Sequence, residues 1–383
     1  MIKKIGLGPK SFLVLLLGLL ASSCSQAGPS GPQVVLTPTQ ASKIVAQEWA
    51  SNESIAINRS LDKWSQIEGG DALEVDKTNM QTQIANNVTP PVVARKLKQV
   101  EVYVPRQYQY PAQFLSVIEV DPRVIPSPAP GASPAPAVSP TPTEQPFISA
   151  ELFYKVSKSD SWKVYLYATL VANEKLPLFV LDQDGFASFN NLRSASTSSR
   201  IITPTPAPSG LLNKTDLLAQ ISQLSTEYSN YRTAYVKTGT VGSSNFTVGP
   251  LTSSISSKDH ESFISLLQSK LNLDLKYSPS LALNSGAFKL KNGGLFSLFS
   301  VDFMGTVTPQ DSQGCVVSSS SGTGQQVFPP GKYASGVKKG VLMLAGSVLL
   351  PKVKGTNLIS IDIPAGVQAI LTTETTPCPN ATP

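Results

Sequence analysis

Two proline-rich stretches set the limits on what this chain can fold into: DPRVIPSPAPGASPAPAVSPTPTEQP at 121–146 and TPTPAPSG at 203–210. Proline fixes φ and removes a backbone donor, and its alternation with Ala, Ser and Thr favours extended, solvated chain over any packed element. Folded structure must therefore come from the pieces on either side. The second stretch is followed by a fresh helical pattern and reads as a linker between domains. The first lies between two strand-like runs, which makes it an insertion within one domain. Spacer chain accounts for both; docking of a partner on a PxxP segment is the alternative.

The N-terminus supplies the next constraint. Lys3, Lys4 and Lys10 precede an apolar run, Phe12 to Leu20, shorter than the ~20 residues that span a bilayer as a helix. This is the pattern of a secretory signal. The run ends at Leu20-Ala21-Ser22-Ser23-Cys24, which resembles the lipobox of bacterial lipoproteins, where the cysteine is acylated and becomes the mature N-terminus. An ordinary cleavable signal ending in Ala21-Ser22-Ser23 is the alternative. Residues 1–23 are then the signal, and 24–36, beginning CSQAGPSGPQ, a Gly/Pro tether that cannot bury a core. The expected partner of Cys24 is a membrane, on its extracytoplasmic face.

Charge follows from that removal. The net charge of +6 includes the three signal lysines, leaving +3 for the mature chain, and no run of five or more Lys/Arg survives. A nucleic-acid partner is unsupported. Charged residues make up 15% of the chain, against ~25% in soluble domains, so the surface is polar but weakly charged.

The pieces between the prolines suggest two domains, 37–202 and 211–378, with a tail at 379–383. In the first, Thr37-Pro38 offers a helix cap, and Ala41, Ile44, Val45 and Trp49 form an apolar stripe that continues to Ile57, Leu61 and Trp64. Gly69-Gly70 stops this run, and Asp71 is expected to cap a second helix through Leu73, Val75, Met80 and Ile84. The rhythm then changes to strands: QVEVYVPRQ, FLSVIEV, AELFYKV, SWKVYLYATLV and LPLFVLDQDGFASF, the last turning at 182–185. The second domain repeats the order. Helical patterns at 211–237 and 260–271 precede GAFKL, LFSLFSVDFMGTV, VLMLAGSVLL, NLISIDI and VQAILTT. The fold class is α+β: two tandem domains, each with helices followed by a curved antiparallel sheet.

The pieces KWSQIEGGDALEVD, VYVPRQYQYPAQFLSV, FTVGPLT and FKLKNGGLFSLFSVDF, in that order behind a lipoprotein signal, resemble a family of actinobacterial lipoproteins whose shared domain has no assigned function. The likeness spans most of 35–375 and carries no functional residue with it. A long N-terminal helix leading into a curved sheet is also similar to the nuclear-transport-factor-2-like cone fold, a likeness of fold only.

Catalytic motifs are sparse. His260 is the only histidine, so a two-histidine metal site is impossible, and its position reads as a solvated first helical turn. Asp182 and Asp184 read as a hairpin turn, because an EF-hand would need its third ligand where Phe186 stands. No phosphate loop and no GxSxG elbow occurs. Glu68, Asp71 and Asp76 could do acid/base work in a cavity, although helix-end capping explains them equally. Trp49, Trp64, Trp162, Tyr165 and Tyr167 could line a pocket, for which Trp64 and Trp162 are the candidate residues; core packing is the alternative. No catalytic residue, metal or cofactor is expected.

Cysteine completes the reading. With Cys24 committed to lipid, Cys315 and Cys378 remain, both in polar segments beside strands, and an exported chain favours their bridging. Two free thiols are the alternative. The expected role is a lipid-anchored module that binds or scaffolds a small ligand or an envelope protein. An envelope hydrolase using carboxylates, or a small-molecule carrier, are its rivals; the first requires a cleft with perturbed acids, the second an enclosed apolar cavity under Trp64 or Trp162.

Overall fold

The first helix begins where Thr37 and Pro38 place it. In the computed structural model, α1 (Pro38–Asn58) opens with a capping box: the Thr37 hydroxyl accepts from Gln40 N at 3.3 Å, and the Gln40 side chain accepts from Thr37 N at 2.9 Å. The described residues are 33–91, 93–122, 146–171, 174–192, 217–240, 244–280, 286–311, 314–318, 331–350 and 359–378. The signal, Cys24, most of the tether, nearly all of the proline-rich insertion, the 203–210 linker and the tail lie outside them.

After α1 come a short turn of helix, α2 (Trp64–Ile67), and α3 (Gly70–Ala85). The strands β1 (Leu97–Tyr103), β2 (Ala112–Val120), β3 (Phe147–Lys155) and β4 (Lys163–Thr169) form one antiparallel sheet in sequence order. Both of its faces are covered. Phe114, Ile118, Phe153 and Val164 meet Ala41, Val45 and Trp49 of α1, whereas Leu115, Leu152, Leu166 and Ala168 point the other way. Period-two alternation is thus apolar on both sides of β2 and β3, as expected of a doubly covered sheet.

The second half repeats the plan: α4 (Leu217–Ser222), α5 (Leu224–Thr238) and α6 (Ile255–Gln268), then β6 (Leu271–Pro279), β7 (Ala287–Lys289), β8 (Leu295–Pro309), β9 (Val316–Ser318), β10 (Gly331–Leu349) and β11 (Ser360–Pro377). The second sheet runs β11-β10-β8-β7-β5, where β5 (Phe189–Asn190) comes from the first half; β6 also pairs with β8, and β9 with β10. Its outer face packs on α4 and α5 through Ile221, Leu224, Tyr228, Phe299, Leu344 and Ile363. Its inner face sets Phe296, Leu298, Val341, Met343 and Ala345 against Leu115, Leu152 and Leu166 of the first sheet. The architecture is α+β in four layers: helices, sheet, sheet, helices.

Three local expectations are corrected. Asp71 does not cap α3; Gly69 holds the cap position, and the buried Asp71 carboxylate accepts from Ser280 Oγ at 3.3 Å. From Ser360 on, NLISIDI and VQAILTT are one strand, because β11 is an edge strand and so tolerates Pro364, with a register shift opposite it between Ala345 and Ser347. The helix around His260 starts at Ile255, after a turn at Pro250–Ser254, so His260 sits mid-helix, half-buried, with Nδ1 2.8 Å from Val236 O. Among the described residues, no helix is long and apolar enough to cross a membrane.

Candidate functional site

A cavity of about 540 Å³ lies between the first helical layer and the first sheet. Four acids from four segments reach it: Glu48 of α1, Glu68 of the α2–α3 junction, Asp76 of α3 and Glu151 of β3. Glu48, Glu68 and Glu151 are buried, and the exposed Asn79 and Gln83 stand at the rim.

Backbone bonds explain why Glu68 is there. Its N–H donates to Trp64 O at 2.9 Å, and the next N–H, of Gly69, donates to Val164 O at 2.9 Å, tying the junction to the free edge of β4. Gly70 adopts φ +55°, and a Cβ on Gly69 would lie 2.7 Å from the Tyr165 ring. The Gly-Gly pair thus lets α3 start against Tyr165 and sends Glu68 inward. Trp64 sits on the preceding turn, 4% exposed, and lines the same cavity.

The opposite wall is strand. Alternation along β3 and β4 puts Ser149, Glu151, Tyr167 and Thr169 on the helix-facing side. Ser116 Oγ donates to Glu151 Oε2 at 3.1 Å, and Tyr167 Oη donates to Asp76 Oδ1 at 2.8 Å. Arg95 closes one end. Its Nε donates to Glu53 Oε1 at 2.9 Å, and its guanidinium carbon lies 5.4 Å from the Trp49 ring centre and 5.2 Å from that of Phe147.

Burial dominates the electrostatics. It raises Glu48 and Glu68 well above the ordinary glutamate value, and the neighbouring acids push in the same direction: Glu151 and Asp76 on Glu48, Asp76 first on Glu68. Glu151 is pushed up to about 7, mainly by burial. Burial raises Asp76 too, but hydrogen bonds from Glu68 and Tyr167 and the charge of Arg95 oppose it. Glu68 therefore keeps its proton and donates it toward Asp76, which also accepts from Tyr167. The wall is incomplete at two atoms. No donor reaches Glu68 Oε2, no acceptor reaches Trp64 Nε1, and both atoms are shielded from solvent. Leaving such groups unmade costs about 1–3 kcal/mol each.

The sequence candidates fall on both sides of this boundary. Trp64, Glu68, Asp76 and Tyr167 are brought together. Trp162 is not; it is half-buried beside Phe114, ring centres 5.1 Å apart and edge-on, in the cluster that packs on α1 and outside the cavity lining. Tyr165 packs on Gly69 and on Tyr154, also away from the cavity. Glu48 and Glu151 were not legible as site residues. Each breaks an apolar pattern, Glu48 beside Trp49 on the α1 stripe and Glu151 inside AELFYKV, and that break was the available signal. Asp182 and Asp184 form a turn: Asp182 Oδ1 accepts from Asp184 N at 2.9 Å and Phe186 N at 3.0 Å, and Arg106 pairs with both carboxylates. Cys315 and Cys378 form a disulfide, with Cα atoms 6.1 Å apart. Among the described residues, no group of three or more His, Cys, Asp or Glu side chains is disposed to hold a metal ion.

The domain of unknown function DUF8094 matches residues 32–318, three quarters of the chain. The chain belongs to this family. The match takes in every residue of the cavity and ends after β9, before β10 and β11. No curated protein and no solved structure matches the chain.

Proposed function

We propose that the protein is a lipid-anchored binding protein of the cell envelope, held at the extracytoplasmic face of a membrane by acylated Cys24, which takes a small polar ligand into the acid-lined cavity. The observation that carries the reading is the cavity wall itself. It buries an unmet acceptor, Glu68 Oε2, and an unmet donor, Trp64 Nε1, in a space of the size that small ligands fill. The lipobox-like Leu20-Ala21-Ser22-Ser23-Cys24 and the tether after it support the anchor and the lipoprotein family of the first reading. The long helix α1 packed across a four-stranded antiparallel sheet supports a cone-like reading of the first half.

Two measurements test this. Replacing Cys24 by Ala should move the protein from the membrane fraction to the soluble or secreted one; unchanged membrane association refutes the anchor. Native mass spectrometry of the full-length protein should show a co-purifying small molecule that is lost in Trp64→Phe. A ligand retained undiminished by that variant places the binding elsewhere.

One observation favours a second reading, an envelope hydrolase. Glu151, held up to about 7 in the cavity, has the proton affinity a general acid needs. Turnover of a co-purified ligand that Glu151→Gln abolishes, with binding intact, would select it.

A further inference from the structure

We infer that the ligand of this cavity is a small organic ammonium ion that also carries an oxygen acceptor, an amino alcohol in its simplest form, with its cationic end against Glu68 and Glu151 and its oxygen at Trp64 Nε1. The inference rests on the binding reading above and names the chemistry of what is bound.

Charge makes the first argument. Four carboxyl groups line the cavity, and among the described residues the only basic side chain lining it is Arg95, already bound to Glu53 through two hydrogen bonds, at 2.9 Å from Nε and 2.8 Å from its backbone N–H. Glu53 is itself buried, and of the cavity acids Asp76 is the one whose ionisation the Arg95 charge favours. Nothing from α1, α3, β3 or β4 brings further positive charge to the floor: the facing titratable groups are Glu48, Glu68, Asp76, Glu151 and Tyr167, all acids. Protons are one way to balance these charges. A cation does so without them, and its N–H or polarised C–H groups supply the donor that Glu68 Oε2 lacks.

The aromatic wall makes the second. Trp49 and Phe147 already face one cation, Arg95, at 5.4 and 5.2 Å, which shows that this end of the cavity accommodates positive charge over ring faces. Trp64 adds a third ring on the floor. Its indole N–H has no acceptor, and a purely cationic ligand would leave it so. The ligand therefore needs an oxygen within reach of its charge, which an amino alcohol provides.

The consequence is coupling to protons. Because the bare site holds protons on Glu48, Glu68 and part of Glu151, cation binding must release protons, and affinity must rise with pH while the ammonium remains charged.

The test uses full-length protein in detergent and pairs of probes that differ only in charge: choline against neohexyl alcohol, in which carbon replaces the ammonium nitrogen, and ethanolamine against propanol. Calorimetric titration at about pH 8 should show at least one cation bound tenfold or more tightly than its neutral partner, the scale of a desolvated cation–π and charge contact. The same titration at about pH 5.5 should be weaker by a similar factor, and near pH 7 the heat should vary with buffer ionisation enthalpy, reporting proton release. Glu68→Gln and Glu151→Gln, each checked for an intact melting transition, should remove the preference for charge. Should Glu68→Gln not fold, the pH dependence and proton release of the unmodified protein decide alone. Competition by phosphatidylethanolamine vesicles would assign the ammonium to a lipid headgroup, and lack of competition to a free solute; both uphold the ammonium. Equal or tighter binding of the neutral partners, or occupation by neutral sugars or by Ca²⁺ instead, overturns the cation while leaving a ligand-binding cavity. Absence of any co-purifying molecule, together with no binding of any probe, overturns both.

Discussion

Tyr167 Oη lies 2.8 Å from Asp76 Oδ1, the hydrogen bond that joins the last strand of the first sheet to helix α3 and closes the cavity between them. It gives the phenol an ionised acceptor and gives Asp76 one of the few groups that offset its burial. Tyr167→Phe should destabilise the fold by about 2 kcal/mol, the worth of a hydrogen bond to a charged group. Without that donor Asp76 is raised further, and a group raised in the folded state loses stability as pH rises, so the penalty should be larger at about pH 8 than at about pH 5. Urea unfolding at the two pH values checks this; a penalty independent of pH would refute the charged acceptor.

Glu151 gives the clearest dependence of stability on pH. Its carboxyl is held up to about 7, mainly by burial, against an ordinary 4.5. Below the ordinary value both folded and unfolded chains are protonated there. Between it and about 7 the unfolded chain ionises first, so stability falls as pH rises, and above about 7 the loss is complete. Glu151→Gln should remove on the order of 3 kcal/mol of that fall between about pH 4.5 and about pH 8. An unchanged slope in chemical denaturation would show that Glu151 ionises freely in the folded protein.

Much of this fold was legible because local signals agreed with tertiary packing. Thr37-Pro38 started α1 where expected, and the alternation in FLSVIEV and AELFYKV gave β2 and β3. Where packing overrode local pattern, the reading failed. LNLDLKYSP places Leu271, Leu273, Leu275 and Tyr277 at strand period, yet it follows a helix so closely that β6 was hidden in the helix's tail. NLISIDI and VQAILTT read as separate runs, and the edge position of β11 lets one strand run through the Pro364 between them. The cavity was half visible: Glu68, Asp76, Trp64 and Tyr167 were singled out, but their partners Glu48 and Glu151 come from α1 and β3, and no sequence spacing reports a contact between a helix and a strand a hundred residues away.

Gly340 is required by a close approach of three strands. A Cβ at this position would lie 2.2 Å from Ala369 O on β11 and 2.4 Å from the Phe303 ring on β8, where the β10–β11 register shifts between Lys339 and Gly340. Backbone on one side and a packed ring on the other cannot both give way. Gly340→Ala should therefore cost about 3 kcal/mol, at the upper end for overpacking, whereas Gly185→Ala, with open space around it, should cost only the strain of its positive φ, about 1 kcal/mol. Melting temperatures of the two variants compare them directly, and equal shifts would remove the steric argument.

The disulfide closes the end of the second sheet. On β10, Tyr333 pairs with Val316 of β9 on one side and Pro377 of β11 on the other, so Cys315, just before Val316, and Cys378, just after Pro377, flank a three-strand rung. Their bridge, at a Cα separation of 6.1 Å, clips the two outer strands across Tyr333. It spans 63 positions, and a closed loop of that length stabilises by about 4 kcal/mol in the chain-entropy account. Reduction, or Cys315→Ser with Cys378→Ser, should lower the denaturant midpoint accordingly, and amide exchange should quicken first at 316–318, 331–333 and 374–377, the strand ends that the bridge joins. Alkylation of the denatured, unreduced protein should leave both cysteines unmodified. Two modified cysteines in that region would refute the bridge, and a midpoint unmoved by reduction would confine its role to the local rung.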